Sequence, residues 1–273
     1  MRVLIASPVK QSPPVLEAFL HGLGRLRLGI AAQAEILLVD DNDDAQSARL
    51  LRRFAEPGPA GMEVRVTTPP SDAPQSTRVA YRRSLAGHFW NRGAVSRIGA
   101  IRQDILEYAR LGEYDALLMI DSDLVLRPET LEVLLATGKD IVAEVFWTAW
   151  SPGAPPGPNV WDTDEAVVSP ATIDMLGQPG LYRVGGLGAC TCIRRRALAT
   201  PIGYAPLYNV SWWGEDRHFC IRAVALGFEL WADTHCPPLH LYRDSDVARV
   251  PTWLSQVNPH EARGASVGAS PPA

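Results

Sequence analysis

Lysine is almost missing from this sequence. Of 26 basic residues only Lys10 and Lys139 are lysines, and arginine supplies the other 24. The bias points to GC-rich coding more than to a mechanism. Lys139 does not make a phosphate-binding loop, because Thr137-Gly138-Lys139-Asp140 lacks the upstream glycine and the downstream Ser or Thr. Gly186-Leu187-Gly188 has no third glycine, so a dinucleotide fingerprint is absent too. Cysteine is scarce as well. The four, Cys190, Cys192, Cys220 and Cys236, show neither CxxC spacing nor a paired knuckle, which leaves a zinc site unsupported. They read as buried structural thiols, and a 273-residue chain needs no disulfides to hold its core.

Long apolar runs are also lacking. No window reaches 18 uninterrupted apolar residues, so no membrane span is expected. The chain opens directly into a strand pattern, Arg2-Val3-Leu4-Ile5-Ala6, without signal-peptide anatomy, and a cytoplasmic location is expected. A net charge of −4 argues against bulk nucleic-acid binding or a membrane-surface role. There is no internal repeat.

What is present is an alternation. Strand patterns at 3–7, 35–39, 62–66, 116–120 and 141–146 are interleaved with helical patterns at 15–28, 45–55, 95–111 and 129–136. Continuous apolar strands alternating with helices predict an α/β fold, a mostly parallel, Rossmann-like central sheet flanked by helices. Later pieces read as strands at 181–184, 189–194 and 228–232 and a helix at 214–226. Segment 151–159 and much of 69–94 read as loops, and the tail 259–273 as disordered.

In an open parallel sheet, ligands sit at the carboxyl ends of strands. Three strands here end in polar clusters: Ser7-Pro8, Asp40 to Asp44, and Asp121-Ser122-Asp123. Two carboxylates one residue apart at the end of an apolar strand repel unless they are solvated or hold a cation. Phosphates alone are repelled by such an edge, so a metal ion or a nucleobase N–H donor suits it better. The acidic strand ends in "ILLVDDND" and "YDALLMID" also resemble the receiver domain of bacterial signalling. That reading fails: Asp121 follows Asp41 by 80 residues where about 40 are needed, and no lysine follows Lys139.

The pattern that survives resembles the GT-A glycosyltransferases. "EILLVDDNDD" is similar to the strand end of the large family 2 of these enzymes. "GAIRQDILEYARLGEYDALLMIDSDLVLRPETLEVLL" resembles their Asp-x-Asp block, with Gln103 where Asn is usual. "WWGEDRHFCIRAVALGFEL" resembles their acceptor-side helix. The Asp-x-Asp block, "VGGLGACTCIRRRAL" and "PPLHLY" also resemble the fungal Anp1-type mannosyltransferases. Together these cover roughly residues 2 to 242.

The resemblance implies a single domain over 1–258, with a nucleotide-binding half at 1–124 and an acceptor and metal half at 125–258. It implies a metal-dependent transfer of sugar from a UDP-sugar or GDP-mannose to a hydroxyl acceptor. Asp123 would ligate Mn²⁺ or Mg²⁺, with Ser122 in the same turn and Asp121 on the ribose or a metal-bound water. His240 would close the site, with His235 as competitor; imidazole favours Mn²⁺. Asp40 and Asp41 would accept the base N–H beside Ser7 and Pro8, and uracil and guanine both offer that N–H. Arg102, or Arg97, would take the diphosphate.

Asp216 would be the general base, ionised at a helix N-terminus, with Glu215 orienting the acceptor; the alternative is two acids complementing a helix dipole. Displacement by such a base inverts configuration, whereas the Anp1-type enzymes retain it. Trp212 and Trp213 would form a sugar platform or pack in the core. Gly185, Gly186 and Gly188 would admit the donor sugar or merely bend the chain. Segment 78–97 reads as a mobile lid or a solvated basic loop. The competing functions are a sugar nucleotidyltransferase and a non-catalytic nucleotide- or partner-binding module.

Overall fold

A computed structural model of the chain describes residues 1–31, 33–74, 92–163, 168–211 and 214–257, with the backbone of 83–84 and 87–88. Trp212, Trp213, most of the expected lid and the tail from 258 lie outside the described residues.

Eight strands form the main sheet: β1 (Arg2–Val9), β2 (Gln33–Asp40), β3 (Met62–Thr67), β4 (Ala116–Met119), β5 (Ile141–Glu144), β6 (Leu181–Val184), β7 (Thr191–Arg194) and β8 (Leu230–Asp233). Their order across the sheet is β6-β8-β5-β7-β4-β1-β2-β3. β4, β1, β2 and β3 run parallel to one another. β7 is antiparallel to both β4 and β5, β8 is parallel to β5, and β6 is antiparallel to β8. The sheet is therefore mostly parallel, with only β6 and β7 reversed.

β1 is buried from Val3 to Val9, as an inner strand covered on both faces must be. Alternate residues point to opposite faces. Leu4 and Ala6 join a core with Ile101, Ile105 and Phe219, while Val3 and Ile5 join a second core with Leu16, Phe19 and Leu131. Helices α1 (Pro13–Leu23), α2 (Ala45–Ala55) and α4 (Thr130–Ala136) cover the second core. Helices α3 (Arg92–Leu111) and α7 (Glu215–Ala225) cover the first. Between them in the chain lie two short helices, α5 (Pro170–Leu176) and α6 (Arg195–Leu198), and the described chain ends in α8 (Val250–Val257).

Local chemistry sets the helix ends. Pro13 and Pro14 open α1, where a missing N–H costs nothing. Asp44 caps α2 by accepting from the Gln46 N–H at 2.6 Å. At Gly99 a Cβ would lie 3.2 Å from the Glu215 Cβ, so this glycine lets α7 start hard against α3. That approach builds the site.

Candidate functional site

The carboxyl ends of β1, β2, β4, β5 and β8 share one edge with the start of β7, because β7 runs the other way. β2 ends at Asp40, and Asp121-Ser122-Asp123 follows β4. β5 ends at Glu144 and β8 at Asp233, which pair in register. These last two acids carry the same signature as Asp121, a carboxylate closing an apolar strand, and the sequence reading passed over them.

Arg102 organises the centre of this edge. It projects from α3 and is 2% exposed. One terminal nitrogen pairs with Asp121 and the other with Asp216, and the latter also lies 3.0 Å from Glu215. One guanidinium thus joins the acidic turn after β4 to the first turn of α7. Arg102, expected to take the diphosphate, has its terminal nitrogens paired with protein carboxylates in this structure. Arg97, five residues earlier and on another side of α3, holds a different acid. Its Nε donates to both Asp41 oxygens at 3.0 Å, and Nη2 donates to Oδ1 at 2.5 Å.

Burial raises the carboxyls of Asp121 and Glu215, with Arg102 pulling the other way. The Asp216 carboxyl is pushed up to about 8, first by burial, then by the charges of Glu215 and Asp121, against Arg102. The expectation that the helix N-terminus alone keeps Asp216 ionised is therefore revised. Burial with two neighbouring carboxylates outweighs a helix dipole. Asp216 remains 28% exposed at its side chain.

The metal-side residues meet through a short ladder. Leu239-His240 pairs antiparallel with Leu124-Val125, and Leu241 N donates to Asp123 O at 2.8 Å. His240 Nε2 then lies 3.4 Å from Asp123 Oδ2, while Nδ1 is 2.8 Å from Thr148 Oγ1. His235 points elsewhere, its Nδ1 3.0 Å from Asp233 Oδ2. Among the described residues no group of three or more His, Cys, Asp or Glu side chains forms a metal cage. Mg²⁺ and Mn²⁺ are usually held by one or two carboxylates plus phosphates and water, so Asp123 with His240 fits such an open shell. Asp121, two residues before Asp123, pairs its Oδ1 with Arg102.

On the other flank, Ser7 and Pro8 are buried, and the Ser7 hydroxyl donates to Pro8 O at 3.1 Å. Asp40 Oδ1 accepts from Asn42 N at 3.1 Å and from Asn42 Nδ2 at 2.7 Å, an Asx turn. The glycines divide. A Cβ on Gly186 would fall 2.0 Å from the Trp161 indole, and one on Gly185 would fall 2.0 Å from Asp162 O, so both serve packing. Gly188 alone borders the cleft, with a Cβ position 3.5 Å from Asp216 Oδ2. All four cysteines are free and buried, and burial pushes the Cys192 and Cys236 thiols up to about 12.

Fold and site together define an α/β protein whose large, mostly parallel sheet gathers acids at one edge. No family model matches the sequence. Among solved structures the chain is similar to S. aureus TarS 1–349, with a TM-score of 0.53 and 14% identity over 95% of this chain and 66% of that one. The same fragment in complex with UDP aligns with a TM-score of 0.54. The mannosyltransferase PcManGT from Pyrobaculum calidifontis, in complex with GDP-Man and Mn2+, aligns with a TM-score of 0.54 and 13% identity. That match covers 99% of this chain and 66% of the other. The shared property at these identities is the fold. No helix among the described residues is long and apolar enough to cross a membrane.

Proposed function

We propose that the chain is a metal-dependent GT-A glycosyltransferase, moving a sugar from a UDP-sugar or GDP-mannose to a hydroxyl acceptor with inversion. The observation that carries this reading is the linkage at the sheet edge. Asp123 faces His240 at 3.4 Å, and Arg102 ties the neighbouring Asp121 to Asp216 on the opposite wall. The UDP complex of the TarS fragment and the GDP-Man and Mn2+ complex of PcManGT, both of this fold, add support. On this reading residues 1–258 are one catalytic unit, with donor binding in 1–124 and metal and acceptor binding in 125–258.

Asp123 and His240 would hold Mn²⁺ or Mg²⁺, which supplies charge neutralisation to a leaving diphosphate. Asp121, oriented by Arg102, accepts from the donor ribose. Asp40 keeps Oδ2 for the base N–H among the described residues, beside the buried turn at Ser7 and Pro8. Asp216 takes the proton from the acceptor hydroxyl, and its raised pKa suits a general base near neutrality. Glu215, paired with the same guanidinium, would orient the acceptor. The particular likeness to Anp1-type enzymes and a retaining outcome gain nothing from this geometry, because a carboxylate on the acceptor wall serves direct displacement.

Thermal shift with UDP, GDP and their sugars, with and without Mn²⁺, tests the reading together with donor hydrolysis. A nucleotide that stabilises the chain only with Mn²⁺ is expected, and Asp123→Ala abolishes that dependence. Undiminished turnover in EDTA, or an unchanged shift in Asp123→Ala, would sink it.

A further inference from the structure

One hairpin links the Asp123–His240 pair to the neighbourhood of Asp216. After β5 the chain pairs Trp147-Thr148 with Gly157-Pro158. One end is tied to the metal side through Thr148 and His240, 2.8 Å apart. The other end is tied to the base side: Gly188 N donates to Asn159 O at 3.0 Å, and Gly188 borders Asp216. The tip carries Trp150, an indole left 53% exposed.

Trp150 is exposed but braced. Tyr242 meets it edge-on, with ring centroids 5.4 Å apart and planes at 77°. Tyr242 in turn lies 5.6 Å from the His240 ring, so a line of aromatics runs from the surface to the metal side. Arg243 Nη2 donates to Ala149 O at 2.7 Å and steadies the backbone beside the indole. Gly157 brings the return strand close, with a Cβ position 3.4 Å from the indole nitrogen. A braced aromatic loses little freedom when a ligand covers it.

We propose that Trp150 is the stacking platform for the acceptor, and that the acceptor is a carbohydrate. This rests on the transferase reading above. A pyranose has an apolar C–H face that covers an indole while its hydroxyls stay hydrated, and the return strand beside Trp150 leads through Asn159 and Gly188 to Asp216. The sheet order excludes the donor base as the occupant, because β7, β4 and β1 stand between β5 and the acids that follow β2. A lipid chain needs a continuous apolar groove, whereas Trp150 is followed by the exposed Ser151, Pro152 and Gly153.

The test uses saturation-transfer NMR on the full chain with GDP or UDP and Mn²⁺. The probes are methyl glycosides of glucose, mannose, galactose and N-acetylglucosamine and their disaccharides. At least one pyranoside is expected to bind, with saturation concentrated on one ring face. Trp150→Ala is expected to weaken that binding roughly tenfold, and Trp150→Phe to recover part of it. Near-UV circular dichroism of both variants reports an intact fold. No pyranoside binding to the native chain, or equal binding by a folded Trp150→Ala, overturns the platform. The nucleotide-dependent thermal shift is read on the same samples. If it is missing while pyranosides still bind through Trp150, the transferase reading fails and the sugar platform stands.

Discussion

Replacing Arg102 by methionine removes the guanidinium that pairs with Asp121, Glu215 and Asp216. Methionine keeps the apolar stem and drops the guanidinium, so the charge and its hydrogen bonds are lost together. At about 3 Å and an effective dielectric near 20, each contact is worth roughly 5 kcal/mol of attraction before desolvation. Desolvation of the guanidinium offsets much of this, and breaking a buried pair by removing one partner costs about 3–5 kcal/mol net. For a chain of this size that lowers Tm by roughly 6–10 °C.

The loss carries a pH signature. Without Arg102 the three carboxyls are raised further, so the folded state binds more protons than the unfolded chain. Stability of the variant then falls relative to wild type as pH climbs above the ordinary carboxylate range, by about 1.4 kcal/mol per pH unit for each extra proton. Thermal melts of both proteins from pH 5 to 9 measure this. A deficit below about 1 kcal/mol at pH 8, or one constant across the range, would refute the argument, since exposed pairs behave that way.

Three further outcomes follow from the same geometry. With Asp216 pushed up to about 8, kcat/KM for transfer is expected to rise with pH through that value; Asp216→Asn should cost about 10²–10⁴-fold, and a flat profile from pH 6 to 9 excludes it as base. Glu144 is fully buried, and its carboxyl is raised well above its ordinary value, first by burial and then by the Asp233 charge. Its folded pKa being raised, its contribution is whole below the unfolded pKa and is lost as pH rises. Glu144→Gln, a neutral mimic of the protonated acid, should therefore gain on wild type by about 1.4 kcal/mol per pH unit above the carboxylate range, and parallel melts would disprove it. Gly186→Ala drives a methyl into the Trp161 indole and is expected to cost roughly 1–3 kcal/mol or more in denaturant titration, whereas a harmless variant would show the pairing with Trp161 to be loose.

The strands and most long helices were legible in the sequence because periodicity records burial along a local stretch. Strand 181–184 and helix 45–55 coincide with the expectation, and β1, β4 and α7 differ only at their ends. Helices α5, α6 and α8 were not read: the first two are short, and α8 buries no residue fully. The acidic turn after β4 was also visible, since any apolar strand that ends in Asp-Ser-Asp announces a polar edge. The same signature at Glu144 and Asp233 went unread, though it lay in the sequence equally plainly.

Other features were decided only by the tertiary structure. Arg102 meets Asp121 at 19 residues' distance and Asp216 at 114, and which acid it takes depends on the rotation of α3 and the close approach at Gly99. Which of His235 and His240 lies against Asp123 turns on a two-residue ladder with Leu124 and Val125 that has no periodic signal. The antiparallel insertion of β7 between β4 and β5 sets which strand ends share the acidic edge. Hydrophobic patterning acts residue by residue along the chain and determines the elements. Ion pairs and ring contacts act across space, and their partners exist only once strand order and helix packing have brought distant segments together.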